Sequence, residues 1–274
     1  MSEDVPPSMA VPARIYDHIL GGHSAQPVDQ AAAAELSATI GYQGVRDIAR
    51  ENRAFHARVV NHLVRECGIR QFLEVGIALP SGRTRATHEI AQGSRTEPAV
   101  VYADNDAFVL SRARELFSDS RDTAVVPADI RDPRALLDHP GLTSTIDFRQ
   151  PVAVLFLLVL HFVASPGHPQ YREGDADPDA IMEAVRERVA PGSYVAYSGV
   201  TQEGPPAYAV ARADQIYRNT TAPIIFRTQE QVTAMFDGWD ILPPGVVRPG
   251  RWHPGPADSP DSGTLWAAVG VKRS

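Results

Sequence analysis

The stretch Gln71-Phe72-Leu73-Glu74-Val75-Gly76-Ile77-Ala78-Leu79-Pro80-Ser81-Gly82 decides the fold. Its first half is a short apolar run that is read as ending in an acid, Glu74, and a tight glycine-containing turn follows. Residues 84–92 then have the pattern of a helix. Strand, glycine turn and helix form the opening unit of a nucleotide-binding α/β sheet, whose ligand sits beyond the carboxyl end of the strand. A second apolar run, Ala99-Val100-Val101-Tyr102-Ala103, ends in Asp104-Asn105-Asp106. This places an acid at the tip of the second strand, where a ribose diol is commonly held. Glycine in the first turn lets a ligand approach the backbone, and a carboxylate at the second tip can accept two hydroxyl hydrogen bonds.

Upstream, residues 1–12 are polar and proline-bearing, and three helices are expected before the first strand. Ile15, Ile19 and Leu20 fall at helical spacing ahead of Gly21-Gly22, residues 29–38 are rich in alanine, and residues 45–67 form a longer amphipathic stretch ending at Gly68. The long helix is expected to face inward through Val45, Ile48, Ala49, Asn52, Phe55, Val59, His62 and Leu63, and arginines such as Arg14, Arg46, Arg50, Arg53 and Arg58 more often make a solvated face than a site. Residues 1–68 thus read as an arm and a helical cap, and 69–274 as a Rossmann-like domain. Downstream, strands are expected at 99–103, 123–126, 152–158, 194–198, 239–242 and 265–271. Helices are expected at 108–117, 134–138, 181–189, 208–217 and from Thr228 to 236, where Thr228-x-x-Gln231 has capping-box spacing. Residues 243–263 are a Pro/Gly-rich excursion. Regular alternation with right-handed crossovers predicts one α/β three-layer sandwich.

A chain of 274 residues that is 43% hydrophobic is long enough to bury a large core. The formal charge of −7 gives no positive field for nucleic acid, so none is expected as a partner. The single cysteine, Cys67, excludes an internal disulfide and any cysteine-based metal cluster, and the histidines are scattered, so no metal is expected. Residues 1–7 have neither the basic start nor the apolar core of a secretion signal, and the apolar run 152–163 is too short to span a bilayer. A soluble, cytoplasmic protein is expected, with a homo-oligomer left open.

Glu74, Asp104 and Asp129 mark three successive strand tips, which in a doubly wound sheet line one crevice. Carboxylates there need partners, because burying them unpaired is costly. A ligand with hydroxyls and amino groups supplies such partners, whereas phosphates are repelled. The turn Gly76-Ile77-Ala78-Leu79-Pro80 also lacks the G-x-G-x-x-G pattern that seats a pyrophosphate, so an NAD-dependent oxidoreductase is disfavoured.

Ala13-Arg14-Ile15-Tyr16-Asp17-His18-Ile19-Leu20-Gly21-Gly22, Glu51-Asn52-Arg53-Ala54-Phe55, Ile69 to Gly76, Tyr102 to Asp106 and Ala128-Asp129-Ile130-Arg131-Asp132-Pro133 together resemble one family. So do Leu160-His161-Phe162, Ala190-Pro191-Gly192-Ser193-Tyr194 and Phe236-Asp237-Gly238. It is a largely actinobacterial S-adenosylmethionine-dependent methyltransferase family, once classed as a domain of unknown function. The resemblance implies a class I methyltransferase fold, with a seven-stranded, mostly parallel sheet whose final strand is antiparallel, and S-adenosyl-L-methionine as cofactor. It further implies that Glu74, Gly76 and Ala78 lie by the methionine end, Asp104 by the ribose, and Asn105, Asp129 and Ile130 by the adenine. Leu157 to His161 would form the floor under the methyl group. Arg14, Tyr16, Asp17, His18, Asn52 and Arg53 are the cap residues expected to face the substrate.

The turn departs from the family's usual Asp-x-Gly-x-Gly-Leu-Pro in having Glu74, Ile77 and Ala78, and a side chain at Ala78 is unfavourable if φ there is positive. Methyl transfer needs an in-line nucleophile and chiefly proximity; where a base is used, His161 is best placed, ahead of His18, His23 and His88. The expected activity is therefore methyl transfer to a small-molecule acceptor. The alternative is a methyltransferase fold without activity that serves a binding or regulatory role.

Overall fold

The computed structural model describes residues 9–77, 85–91, 98–120, 122–254 and 261–273. Seven strands make one sheet: β1 (Gln71–Val75), β2 (Ala99–Asp104), β3 (Thr123–Pro127), β4 (Ala153–Leu157), β5 (Tyr194–Val200), β6 (Asp240–Ile241) and β7 (Leu265–Val271). Their order is β3-β2-β1-β4-β5-β7-β6. β1 to β5 pair in parallel, and β7 runs antiparallel to both of its neighbours. The chain leaves β1 towards β2 on one side and returns to β4 on the other, so the switch point opens a crevice at the carboxyl ends of β1 and β4.

Strand periodicity sorts the side chains to two faces. Leu73, Val75, Val101, Val154, Phe156 and Val195 face one way. They meet α6 (Pro133–Leu137), α7 (Pro140–Thr143), α8 (Pro178–Arg188) and α10 (Gln229–Ala234). Phe72, Val100, Tyr102, Ala153 and Leu155 face the other way, onto α3 (Tyr42–Arg65), α4 (Thr87–Ala91) and α5 (Ala107–Leu116). A third apolar cluster joins α1 (Pro12–Ile19), α2 (Pro27–Ile40) and the first turns of α3 to α9 (Ala207–Tyr217). α3 therefore belongs to two cores: Val45 and Ala49 lie under α1 and α2, while Phe55, Val59 and Leu63 press on the sheet.

The expected elements form, with local differences. β4 stops at Leu157 because Leu158 takes a left-handed φ of 55°, and 160–162 then make a single 3-10 turn. The helix expected at 84–92 spans Thr87–Ala91, its expected ends lying outside the described residues. The short helix α7 was not anticipated; the His139 ring caps it by accepting from Gly141 N–H at 3.0 Å. Thr228 and Gln231 form the expected reciprocal cap of α10, with bonds of 3.2 and 2.9 Å.

The Pro/Gly-rich excursion is not peripheral. Trp252 is completely buried against Phe55 and His62. Arg58, expected on a solvated face, is half-buried and donates to the Pro249 and Trp252 carbonyls at 2.6 and 3.0 Å. Glu51, fully buried about two turns earlier, accepts from the Ser262 N–H and hydroxyl. On the long helix His56 is buried and His62 only half-buried, so the inward face is turned slightly from the one the apolar residues suggest. Among the described residues no helix is long and apolar enough to cross a membrane.

Candidate active site

A cleft of about 1640 Å³ opens at the switch point, under α1, α2 and α9. Ten of the residues expected at the site line it: Arg14, Tyr16, Asn52, Gly76, Asp104, Asn105, Asp129, Ile130, Leu157 and His161.

On its strand-tip side the cleft is polar. Asp104 ends β2, half-buried, and uses one lone pair of each carboxylate oxygen: Oδ2 accepts from Ile77 N–H at 2.8 Å and Oδ1 from Asp106 N–H at 2.9 Å. A carboxylate offers about four acceptor sites, so two remain for a diol. Burial, reinforced by the neighbouring Asp106 carboxylate, lifts the Asp104 pKa to about 6 against the pull of the surrounding backbone N–H groups. Asp106 itself caps α5 and sits 3.8 Å from the Arg14 guanidinium, which also covers the Phe108 ring. In this way α1 touches the β2 tip across the cleft.

Asp129, just past β3, is brought to Asn105, whose amide donates to its Oδ2 at 3.1 Å. Burial opposes its charge, but the Arg131 guanidinium and backbone N–H outweigh that and hold the Asp129 carboxyl below the usual carboxylate range. The Arg131 guanidinium in turn faces Asp175 at 3.7 Å and its backbone carbonyl accepts from Ala176 N–H, tying the 164–177 segment to the third tip.

Gly76 lies at φ 79°, a conformation in which a side chain is strained. A Cβ there would stand 2.8 Å from a Val159 methyl, so the face that glycine leaves free is filled by the segment after β4. Ala78 lies outside the described residues.

The floor is the 158–163 segment. Leu158 N–H donates to the Ser198 carbonyl and hydroxyl; Ser198 Oγ donates to Asn52 Oδ1 at 2.6 Å, and Asn52 Nδ2 donates to Tyr16 Oη at 3.3 Å. This chain links β4, β5, α3 and α1 around the middle of the cleft. His161 is buried, and burial together with the nearby Arg227 charge pushes its pKa down to about 3. It is a neutral ring, and its Nδ1 has no hydrogen-bond partner. Arg227, also buried, donates to the Leu160 and Val163 carbonyls at 3.0 Å each and so fixes the turn that carries His161.

Glu74, Asp17, His18 and Arg53 do not line the cleft. Strand parity explains Glu74: it shares the face of Phe72, under α3, not the tip of β1. There Thr87 Oγ1 donates to Glu74 Oε2 at 2.6 Å, and His56 Nε2 lies 2.7 Å from the same hydroxyl. A hydroxyl has one proton, so with it given to Glu74 the hydroxyl accepts from His56 Nε2–H. Burial raises the Glu74 pKa, countered by Thr87 and the Arg53 charge; burial, with Arg53 adding, lowers that of His56 to about 3. Asp17 accepts from Ser24 N–H and leaves no room for a side chain at Gly22, so it shapes the Gly-Gly turn. His18 is half-buried on α1, Arg53 lies over the Tyr16 ring, and His88 bonds Tyr102 Oη.

Thr87→Val keeps the shape but strands Glu74 and His56. It is expected to lower stability by about 2 kcal/mol in urea unfolding, with Thr87→Ser close to the parent.

A 3-2-1-4-5-7-6 sheet with an antiparallel β7, a glycine turn after β1 and an acid at the β2 tip is the class I methyltransferase fold. The chain belongs to the S-adenosyl methyltransferase family, whose sequence profile matches residues 1–273. It is similar to a Thermobifida fusca YX protein designated a methyltransferase, at 34% identity over 99% of this chain and 100% of that one, with a TM-score of 0.85. It is equally similar to a DUF574 family protein from Streptomyces avermitilis MA-4680, at 35% identity over 96% and 98%, TM-score 0.85. The trans-methyltransferase CalH, solved with SAH, shares the fold at 14% identity over 90% and 68%, TM-score 0.52. No curated protein sequence matches the chain.

Arg227, His56 and Trp252 were not singled out by sequence reasoning, and Glu51 stood only in a family-like motif with no role given. His56 follows Asn52 by one helical turn, so finer phasing of α3 would have found it; Arg227 sits in an irregular segment with no periodicity to mark it.

Proposed function

We propose that the protein transfers a methyl group from S-adenosylmethionine to a small-molecule acceptor. The observation that carries this is Asp104: a cleft-lining carboxylate with both oxygens already oriented by backbone N–H groups and two acceptor sites left over. When bound, the cofactor supplies a sulfonium methyl that the acceptor's lone pair takes, the C–S electron pair staying on sulfur. Asp104 would hold the ribose hydroxyls, and Asp129 with Asn105 and Ile130 would meet the adenine edge. Leu157 and His161 would lie under the reacting groups. His161, with its low proton affinity, serves as an orienting hydrogen-bond acceptor, and the acceptor's proton passes on to water. Positioning supplies most of the rate.

The division into a cap over 1–68 and a cofactor-binding unit over 69–274 is part of this proposal. α1 and α2 roof the cleft, and α3 roots that roof in the sheet's core.

Calorimetric titration with S-adenosylhomocysteine tests the reading. Micromolar binding is expected at pH 7.5. Affinity holds above about pH 7 and weakens, by up to about tenfold per unit, as pH falls through the Asp104 pKa of about 6, because the protonated acid loses acceptor capacity. Asp104→Asn is expected to bind weakly with no such pH dependence. A folded protein that ignores the ligand at pH 7.5 would overturn the enzyme reading in favour of the regulatory alternative raised by Ala78.

A further inference from the structure

The cleft is too large for one ligand and is divided by chemistry. Small-molecule sites occupy roughly 300–1,000 Å³, so a cleft of about 1640 Å³ has room for a second molecule beside the cofactor. The charged residues that line it, Arg14, Asp104, Asp106, Arg114, Asp129, Arg131 and Arg172, come from α1, the tip of β2 and the turn after it, α5, the third strand tip and the segment tied to that tip. The remaining wall comes from α2, the start of α3, α9 and residues 221–226. Leu36 and Ile40, Val45 and Ile48, and Tyr217 and Phe226 define it. No acid, lysine or arginine from these elements lines the cleft, among the described residues.

Several of these side chains also belong to the apolar cluster that joins α1, α2 and α9. Protein interiors ordinarily close over such clusters and leave few voids larger than water. A roomy space bounded by leucine, isoleucine, valine and aromatic side chains suits an apolar guest. An ion placed there finds no counter-charge and loses its hydration. Its polar groups are few and neutral: Thr39, Asn52, Thr221 and the Tyr217 hydroxyl, whose pKa burial pushes up to about 12.

We infer that the methyl acceptor is a neutral, predominantly apolar small molecule, held with its body against α2, α3 and α9 and its nucleophilic atom towards His161. This rests on the methyltransferase reading above. It disfavours acceptors that carry a net charge near neutral pH, because no acid, lysine or arginine from these elements lines the cleft among the described residues.

The test uses the full chain saturated with S-adenosylhomocysteine, titrated at pH 7.5 with three probes that share one ring system: 2-naphthol, which is neutral, 2-naphthylmethylammonium and 2-naphthoate. 2-Naphthol is expected to bind at least tenfold more tightly than either ion, with a negative heat-capacity change. Equal or tighter binding of either ion overturns the proposal. Ala213→Asp, which puts a carboxylate on the apolar wall, is expected to weaken 2-naphthol at least tenfold while S-adenosylhomocysteine affinity stays within twofold; unchanged 2-naphthol affinity would place the probe elsewhere and overturn the proposal. Val210→Asp on the same helix serves if Ala213→Asp does not fold. Failure to bind S-adenosylhomocysteine in the first step would sink the methyltransferase reading itself and this inference with it; cofactor binding with the wrong probe preference would sink only the inference.

Discussion

Asp104→Ala should weaken S-adenosylhomocysteine binding at least a hundredfold in calorimetry while leaving the protein folded. Two hydroxyl bonds to a carboxylate are charge-assisted and contribute about 1.5 kcal/mol or more each, so about 3 kcal/mol is lost, which is roughly 150-fold in affinity. The free protein should tolerate the change because two effects oppose each other. The variant strands the Ile77 and Asp106 N–H groups, which costs stability. It also removes a carboxylate whose folded pKa is raised to about 6. The stability tied to such a group is fully present below about pH 4 and lost as pH rises through about 6, so at pH 7.5 the ionised side chain is a liability that alanine relieves. Unfolding in urea at pH 7.5 should therefore differ little between Asp104→Ala and the parent without ligand. With ligand, only the parent should gain stability. A variant that binds within threefold of the parent would show that the cofactor is held elsewhere.

Arg227→Met should produce the larger loss of stability, about 3 kcal/mol in urea unfolding. The guanidinium is buried and satisfies the Leu160 and Val163 carbonyls, one on each branch of its fork. Methionine fills similar volume but leaves both carbonyls without their donor in a dry setting, at about 1–3 kcal/mol each. Arg227→Lys offers a single point donor instead of a fork and should fall between parent and methionine variant. The turn these bonds hold carries His161, so 2-naphthol binding should weaken more than S-adenosylhomocysteine binding. The cofactor's expected partners, Asp104 and Asp129, have other supports. Equal loss of both ligands would assign Arg227 a purely structural role.

The local sequence determined the order and kind of nearly every element, because strand and helix periodicities and glycine stops are read over a few residues. Strand tips at Asp104 and Asp129 followed from the same local pattern, and both line the cleft. What only the tertiary structure decided depends on which face a residue takes and on distant partners. Glu74 was expected at the tip of β1, but it lies one residue before the strand's end and strand parity turns it under α3 to Thr87 and His56. Trp252 and Ser262 lie in a stretch that reads as an excursion, yet Arg58 and Glu51, some 190 residues or more away in the chain, hold it in the core. Arg227 has no pattern around it, since its role comes from two carbonyls more than 60 residues upstream. The apolar wall of the cleft is built from four separated segments whose side chains read individually as ordinary core. The space they leave at the cleft can be read only from the assembled fold, because a void is a property of how segments pack and not of any one segment.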